Sequence, residues 1–240
     1  MYRKSLTKII SCLALFFLSS SFKYAAAQSD TTAIDVLLDP GKTMLDSAKY
    51  YNEIMRKNYN GPGSFSLDAT HNPHISVLQC FVRAADLQKV YAAVNKVVRS
   101  ESPTKENLTA KGFYYLPVNG LGLAGITADT TAWLIRFQNK LIEALKPYML
   151  KGTAAAFVQN KNGTPIAKEA PEYVNDFVPG HSGVKFNPHL TIGLAHETFL
   201  KELLSKHFNR FTFKTNSVSI YQLGDFGTAQ KKLWTSSKSG

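Results

Sequence analysis

Ala33 to Leu38 (AIDVLL) is a short apolar, β-branched run that closes on Asp39-Pro40-Gly41, and Met44, Leu45, Ala48, Tyr51, Ile54 and Met55 then recur at helical spacing. The pattern predicts strand, turn, helix. Residues Tyr59 to Asp68 (YNGPGSFSLD) are rich in Gly, Pro and Ser and end that helix. Ile75 to Val82 (ISVLQCFV) reads as the next strand, and Leu87, Val90, Tyr91, Val94, Val97 and Val98 form the apolar stripe of a second helix. Gly112 to Val118 and Gly120 to Thr127 read as paired strands. Asp129 or Thr130 is then expected to cap a helix that buries Trp133, Leu134, Phe137, Leu141, Ile142 and Leu145.

The stretch from 150 to 185 is less patterned. Ala154 to Val158 fits helix or strand, Asn160 to Thr164 a turn, and Glu172 to Phe177 one helical turn; a surface insertion is the expectation, an active-site loop the alternative. Leu190 to Leu194 then reads as a strand and Glu197 to His207 as a helix. Phe211 to Leu223 and Gln230 to Trp234 read as two more strands, so the second half echoes the first.

The amino end has a different character. Arg3, Lys4 and Lys8 precede an apolar, serine-dotted run from Ile9 to Phe22, and Ala25-Ala26-Ala27 stands before Gln28. This is the pattern of a secretory signal peptide, residues 1–27, cleaved after Ala27. The apolar run is shorter than the roughly 20 residues that span a bilayer, so no stable membrane span is expected. Residues 28–240 contain no Gly/Ser- or Pro-rich linker and are expected to form one bilobed domain, acting as a monomer in the periplasm or outside the cell.

Composition narrows the classes further. With 44% hydrophobic residues the chain can build a substantial core, which excludes a disordered tail. Only Cys12 and Cys80 are present, and Cys12 falls in the signal segment, so neither a disulfide framework nor a cysteine zinc cluster is available. The formal net charge is +11. Removing residues 1–27 takes away four basic residues and no acidic one, which leaves 24 against 17 and a net +7. Such a surface suits phosphate-bearing ligands or an anionic envelope, or serves solubility alone.

The chemistry lies in a short internal echo. Asn72-Pro73-His74-Ile75-Ser76 and Asn187-Pro188-His189-Leu190-Thr191 both read N-P-H, apolar, hydroxyl, and each opens an expected strand that a helix follows. On an extended strand the His and the hydroxyl two residues on share one face, while Ile75 or Leu190 points to the core. Each half thus offers one imidazole and one hydroxyl. A phosphodiester reaction uses such a set: a neutral imidazole removes a proton, a protonated one supplies the leaving oxygen, and hydroxyls donate to the non-bridging oxygens. No metal or cofactor is required.

These two motifs resemble the H-x-[ST]-x pair of the two-histidine (2H) phosphoesterase superfamily, which includes 2′-5′ RNA ligase-like proteins and cyclic nucleotide phosphodiesterases. The resemblance extends to the opening AIDVLLD strand and the closing SVSIYQLGDFG segment and covers most of residues 30 to 236. It implies an α+β fold of two pseudo-symmetric lobes, whose antiparallel sheets face each other across a central cleft. It also implies His74 and His189 as the acid/base pair, Ser76 and Thr191 as phosphate-binding donors, and a nucleotide or oligonucleotide phosphodiester as substrate. The signal peptide departs from relatives that process RNA inside cells, and favours degradation of extracytoplasmic phosphodiesters over RNA repair. Tyr114, Tyr115, Phe186 and Tyr221 are candidates for the family's base-stacking aromatics.

Rival readings are weaker. His71 and His74 have H-x-x-H spacing, but off a helix they do not share a face, and no acidic or Cys residue nearby completes a metal set. His181, His196 and His207 are expected at the surface without a role, and Cys80 as a packed apolar residue. Neither a P-loop nor a G-x-S-x-G elbow is present. The alternative from another class is a non-catalytic exported module that binds a phosphorylated ligand.

Overall fold

The computed structural model describes residues 30–68 and 71–236, so the expected signal peptide lies outside the described residues. β1 (Thr31–Pro40) runs through the middle of a five-stranded sheet, which explains its almost unbroken apolar sequence. α1 (Lys42–Asn58) follows with Met44, Ala48, Asn52 and Met55 on its buried face. Next come β2 (Ile75–Arg83), α2 (Leu87–Glu101), β3 (Leu108–Val118), β4 (Leu121–Ala128) and α3 (Ala132–Leu145). The cap of α3 is Thr131, whose hydroxyl accepts from the Leu134 N–H at 3.2 Å, rather than Asp129 or Thr130. Those two are engaged elsewhere: Asp129 pairs with Arg210, and Thr130 donates to the Phe186 carbonyl at 3.3 Å.

β5 (Met149–Leu150), α4 (Glu169–Asn175) and α5 (Phe177–His181) make up the less patterned stretch, and β6 (His189–His196), α6 (Glu197–Ser205), β7 (Phe211–Phe213), β8 (Thr215–Leu223) and β9 (Ala229–Thr235) complete the fold. The run from Phe211 to Leu223, expected as one strand, is two. β7 pairs with β3 in one sheet, while β8 pairs with β1 in the other, and Lys214 is the corner between them. An apolar alternation cannot show that the chain changes sheets, because both sheets bury their strands alike.

The two antiparallel sheets have the orders β5-β2-β1-β8-β9 and β6-β4-β3-β7 and pack as two pseudo-symmetric lobes. Pro117 is tolerated in β3 because β7 pairs only with Leu108 to Ala110, leaving that end of the strand with one neighbour. The helices exchange sheets. α1, which follows β1, packs on β6 of the second sheet, and α3, which follows β4, packs on β2 of the first and on α2. Lys140 and Arg136 of α3 both pair with the buried Glu101 carboxylate at the end of α2, and its hydrogen bond from Lys140 holds that carboxyl below the ordinary range.

Residues 150–181 are not a surface insertion. Ala156, Phe157, Ile166 and Val174 are buried in a cluster with Ala33 of β1, Phe81 of β2 and Leu223 of β8, and so cover one end of the first sheet. Phe157 meets Phe81 edge to face at 5.9 Å between ring centroids. The apolar residues of this stretch are too irregularly spaced to form a helical stripe or a strand alternation, and burial against the sheet replaces periodicity as the source of order. Among the described residues no helix is long and apolar enough to cross a membrane.

Candidate active site

The register of the sheets sets the site. In the first lobe Leu38 pairs with Ile75 and Leu37 with Ser76; then the register slips by one, so that Val36 pairs with Leu78 and Asp35 with Gln79. In the second, Ile126 pairs with Leu190 and Gly125 with Thr191. The same slip follows, so that Ala124 pairs with Gly193 and Leu123 with Leu194. Both motif strands therefore carry a β-bulge directly after the hydroxyl residue, with Val77 and Ile192 as the extra residues. A bulge leaves its extra residue out of the ladder, and a buried carbonyl there needs another donor.

The exchanged helices supply it. Gln138 of α3 donates to the Val77 carbonyl at 2.9 Å, and Asn52 of α1 donates to the Ile192 carbonyl at 2.8 Å. Each amide also ties down the loop before a motif. Asn52 donates to the Phe65 carbonyl and accepts from Leu67 N–H, while Gln138 donates to the His181 carbonyl and accepts from Gly183 N–H. Both side chains are buried. At Gly193, φ is +134°, and a Cβ would lie 3.2 Å from both Asn52 and Met55, so glycine there permits the close approach of α1.

The histidines are oriented alike. Nδ1–H of His74 donates to the Asn72 carbonyl at 2.7 Å, and Nδ1–H of His189 donates to the Asn187 carbonyl at 2.7 Å. The Asn of each N-P-H thus works through its backbone: it holds the proton on Nδ1 and leaves Nε2 as the nitrogen available for chemistry. Ile75 and Leu190 are fully buried, and His189 and Thr191 remain partly accessible, as the expected alternation requires. The His74 side chain is 17% exposed. The two imidazoles are close enough that charge on His74 opposes protonation of His189. Burial is the larger cause. Together with His74 and His181 it pushes the His189 imidazole below the ordinary histidine value, while the Asn187 carbonyl acts the other way.

The surroundings of the two hydroxyls differ. In the second lobe the Tyr114 ring meets His189 at 4.6 Å between centroids, and the Thr191 hydroxyl lies beside the Tyr114 phenol. A Cβ on Gly125 would collide with this ring and sit 3.0 Å from the Leu190 carbonyl, so glycine at that position makes room for Tyr114. In the first lobe Ser76 Oγ donates to Asp35 Oδ2 at 2.5 Å. Gln79 Nε2 donates to the same oxygen at 3.1 Å, and His74 Nε2 lies 3.6 Å from it. Asp35 is fully buried, and burial raises its carboxyl above the ordinary value against the opposing effects of His74, Ser76 and Gln79.

Four residues near the motifs escaped the sequence reading. Asp35 and Gln79 are single polar residues inside the apolar runs of β1 and β2, paired directly across the two strands. Tyr173 of α4 reaches the site, its phenol pushed up to about 12 by burial and then by Asp35, and it lies against the His181 ring at 4.3 Å between centroids. His181, expected at the surface without a role, is therefore part of this wall, and burial lowers its imidazole. Of the remaining candidates, two fall elsewhere and Tyr221 lies behind Asp35. Tyr115 donates to Glu197 of α6 at 3.3 Å, Phe186 is buried in the core, and Tyr221 is buried opposite Asp35 with Lys232 over its ring at 5.3 Å. His71 stacks on Phe65 at 4.6 Å. His196 meets Tyr59 edge to face at 5.4 Å, and His207 is exposed. Cys80 is a buried thiol, pushed up to about 12.

No protein-family model matches the chain, and no curated protein does. Among solved structures, TT0787 of Thermus thermophilus shares the fold, with a TM-score of 0.55 at 14% identity over 87% of this chain and 99% of that one. Usb1 of Kluyveromyces marxianus with uridine monophosphate aligns at a TM-score of 0.42 and 8% identity, over 84% of this chain and 97% of that one. LigT of E. coli complexed with phosphate aligns at 0.35 and 11%, over 86% and 97%. Both scores are below the level that establishes a common fold. The likeness to TT0787 agrees with the two-lobed architecture that the paired motifs imply for the two-histidine phosphoesterases.

Proposed function

We propose that this chain is a phosphodiesterase that hydrolyses 2′,3′-cyclic phosphate or 2′-5′ linked nucleotide esters by two-histidine acid/base catalysis. The observation that supports it best is the duplicated placement of His74 and His189, each with Nδ1–H on its own Asn carbonyl, which leaves Nε2 as the nitrogen for chemistry. A phosphodiester between the two nitrogens meets a base on one side and an acid on the other. His189, partly buried and held below the ordinary histidine value, is the neutral imidazole that takes the proton from water. His74, on the opposite side and with the Asp35 carboxyl 3.6 Å from its Nε2, is the acid that protonates the departing oxygen. Thr191 and Ser76 serve the non-bridging oxygens, where charge accumulates in the transition state.

The basic amino end and the Ala25-Ala26-Ala27 site support export of residues 28–240 to the periplasm or beyond, where the protein acts as a monomer. Mass spectrometry of the exported protein checks this by finding Gln28 at the amino terminus. The activity is tested by turnover of a panel of 2′,3′-cyclic nucleotides and 2′-5′ dinucleotides in EDTA. Turnover lost in both His74→Ala and His189→Ala supports the reading. Turnover indifferent to both overturns the two-histidine mechanism, and turnover absent across the panel while the ligands still bind points to the non-catalytic binding module.

A further inference from the structure

Ser76 is placed to donate to a phosphate oxygen, yet its hydroxyl is bonded to a fully buried carboxylate at 2.5 Å. A hydroxyl that gives its hydrogen to Asp35 presents lone pairs to the cleft, and an ionised carboxylate behind it repels an anion. The cluster is also short of donors: Asp35 Oδ1 and Gln79 Oε1 are both buried without a hydrogen-bond partner. Resting on the phosphoesterase reading of this site, we infer that Asp35 is a proton-operated positioning residue for Ser76. Ionised, it holds the Ser76 hydrogen and opposes phosphate; protonated, it frees that hydrogen for a phosphate oxygen.

The step balances with one proton from solvent. The proton adds to the Asp35 carboxylate, the carboxyl O–H donates to Ser76 Oγ, and the Ser76 O–H turns to the ligand. Hydrogen positions are set by this network, and a 2.5 Å O···O bond runs equally well in either direction. The groups around Asp35 are compatible with the change. From β2 it faces His74, Gln79 and Cys80; from α4, Tyr173; from β8, Tyr221, over which Lys232 of β9 lies. Burial raises the carboxyl, which makes its protonation less costly. Among the described residues the second lobe holds Leu123 and Leu194 at the equivalent register positions, not a carboxylate. Thr191 lies beside the Tyr114 phenol, which burial keeps protonated at any working pH.

Sulfate is the probe, because it stays a tetrahedral dianion throughout the useful range. Its affinity for the full chain is measured by calorimetry between about pH 5 and about pH 8, in buffers of differing ionisation heat, for the wild type, Asp35→Asn and Ser76→Ala. A single linked proton costs the wild type up to about tenfold in affinity per pH unit above the titration. Asp35→Asn is expected to bind sulfate about tenfold more tightly than the wild type near pH 8, to match it near pH 5, and to take up fewer protons on binding. Equal or weaker binding by Asp35→Asn near pH 8 overturns the inference, since a residue that only packs or only supports the His74 charge gives that result.

If Asp35→Asn does not fold, Ser76→Ala decides. A loss of affinity near pH 5 that vanishes near pH 8 supports the inference, and an equal loss at both overturns it. Sulfate binding that depends on His74 and His189 but not on Asp35 overturns the inference and leaves the phosphoesterase reading standing. A wild type that binds no sulfate at any pH overturns both.

Discussion

The two motif strands are copies in geometry and opposites in chemistry. Each has its His on an Asn carbonyl, its bulge after the hydroxyl residue, and a buried amide from an exchanged helix on the bulge carbonyl. Yet at the register positions that hold Asp35 and Gln79 in the first lobe, the second holds Leu123 and Leu194. The first lobe puts a carboxylate next to its imidazole, and the second surrounds its imidazole with protein and a tyrosine ring. Duplicated backbone orients the two imidazoles alike, and the unlike second layer gives each a different electrostatic setting.

The hardest break of the comparison is removal of either imidazole. His74→Ala and His189→Ala should each lower kcat by about 10²- to 10⁴-fold, and the double variant should lose less than the product, since acid and base act on one transition state. Next in size are the amides. Gln138→Leu and Asn52→Leu each strand a buried bulge carbonyl and should cost about 1–3 kcal/mol in denaturant unfolding, with similar values if the lobes are equivalent in structure. Asymmetry between those two would break the geometric half of the comparison.

The pH dependence sharpens the chemical half. His189 is held below its ordinary value of 6.5, so the acid limb of kcat/KM should lie below pH 6.5 and disappear in His189→Ala. The same shift has a sign for stability. Between its folded and unfolded values this His binds more protons unfolded, so its contribution is unfavourable on the acid side. Stability should therefore fall as pH drops below 6.5, and His189→Gln should reduce that fall in thermal unfolding. The smallest effect concerns Cys80: with its thiol buried and pushed up to about 12, alkylation at neutral pH should proceed only on unfolding and leave native turnover unchanged.

Much of the site is written locally. His74-Ile75-Ser76 and His189-Leu190-Thr191 declare themselves because a two-residue period on an extended strand brings imidazole and hydroxyl to one face, with Ile75 and Leu190 in the core. The helices declare themselves by stripes such as Trp133, Leu134, Phe137 and Leu141, all buried as their spacing requires. What stayed hidden depends on partners distant in sequence. Asp35 meets Ser76 across 41 positions, and Asn52 meets Ile192 across 140. Tyr173 and His181 sit in a stretch whose order comes from packing against the first sheet rather than from any period of its own.

The division follows from the range of the forces involved. Periodicity, turn residues and the proline before each histidine act within a few residues, and by themselves they determine most of the strands and helices and the two-histidine pattern, though not the break between β7 and β8 or the order of residues 150–181. Strand register, the sheet change at Lys214, the exchange of α1 and α3 and the layer behind each hydroxyl are settled only when remote strands pair. A buried polar atom must find its partner wherever the fold provides one, and for Asp35, Asn52 and Gln138 that partner is visible only in three dimensions.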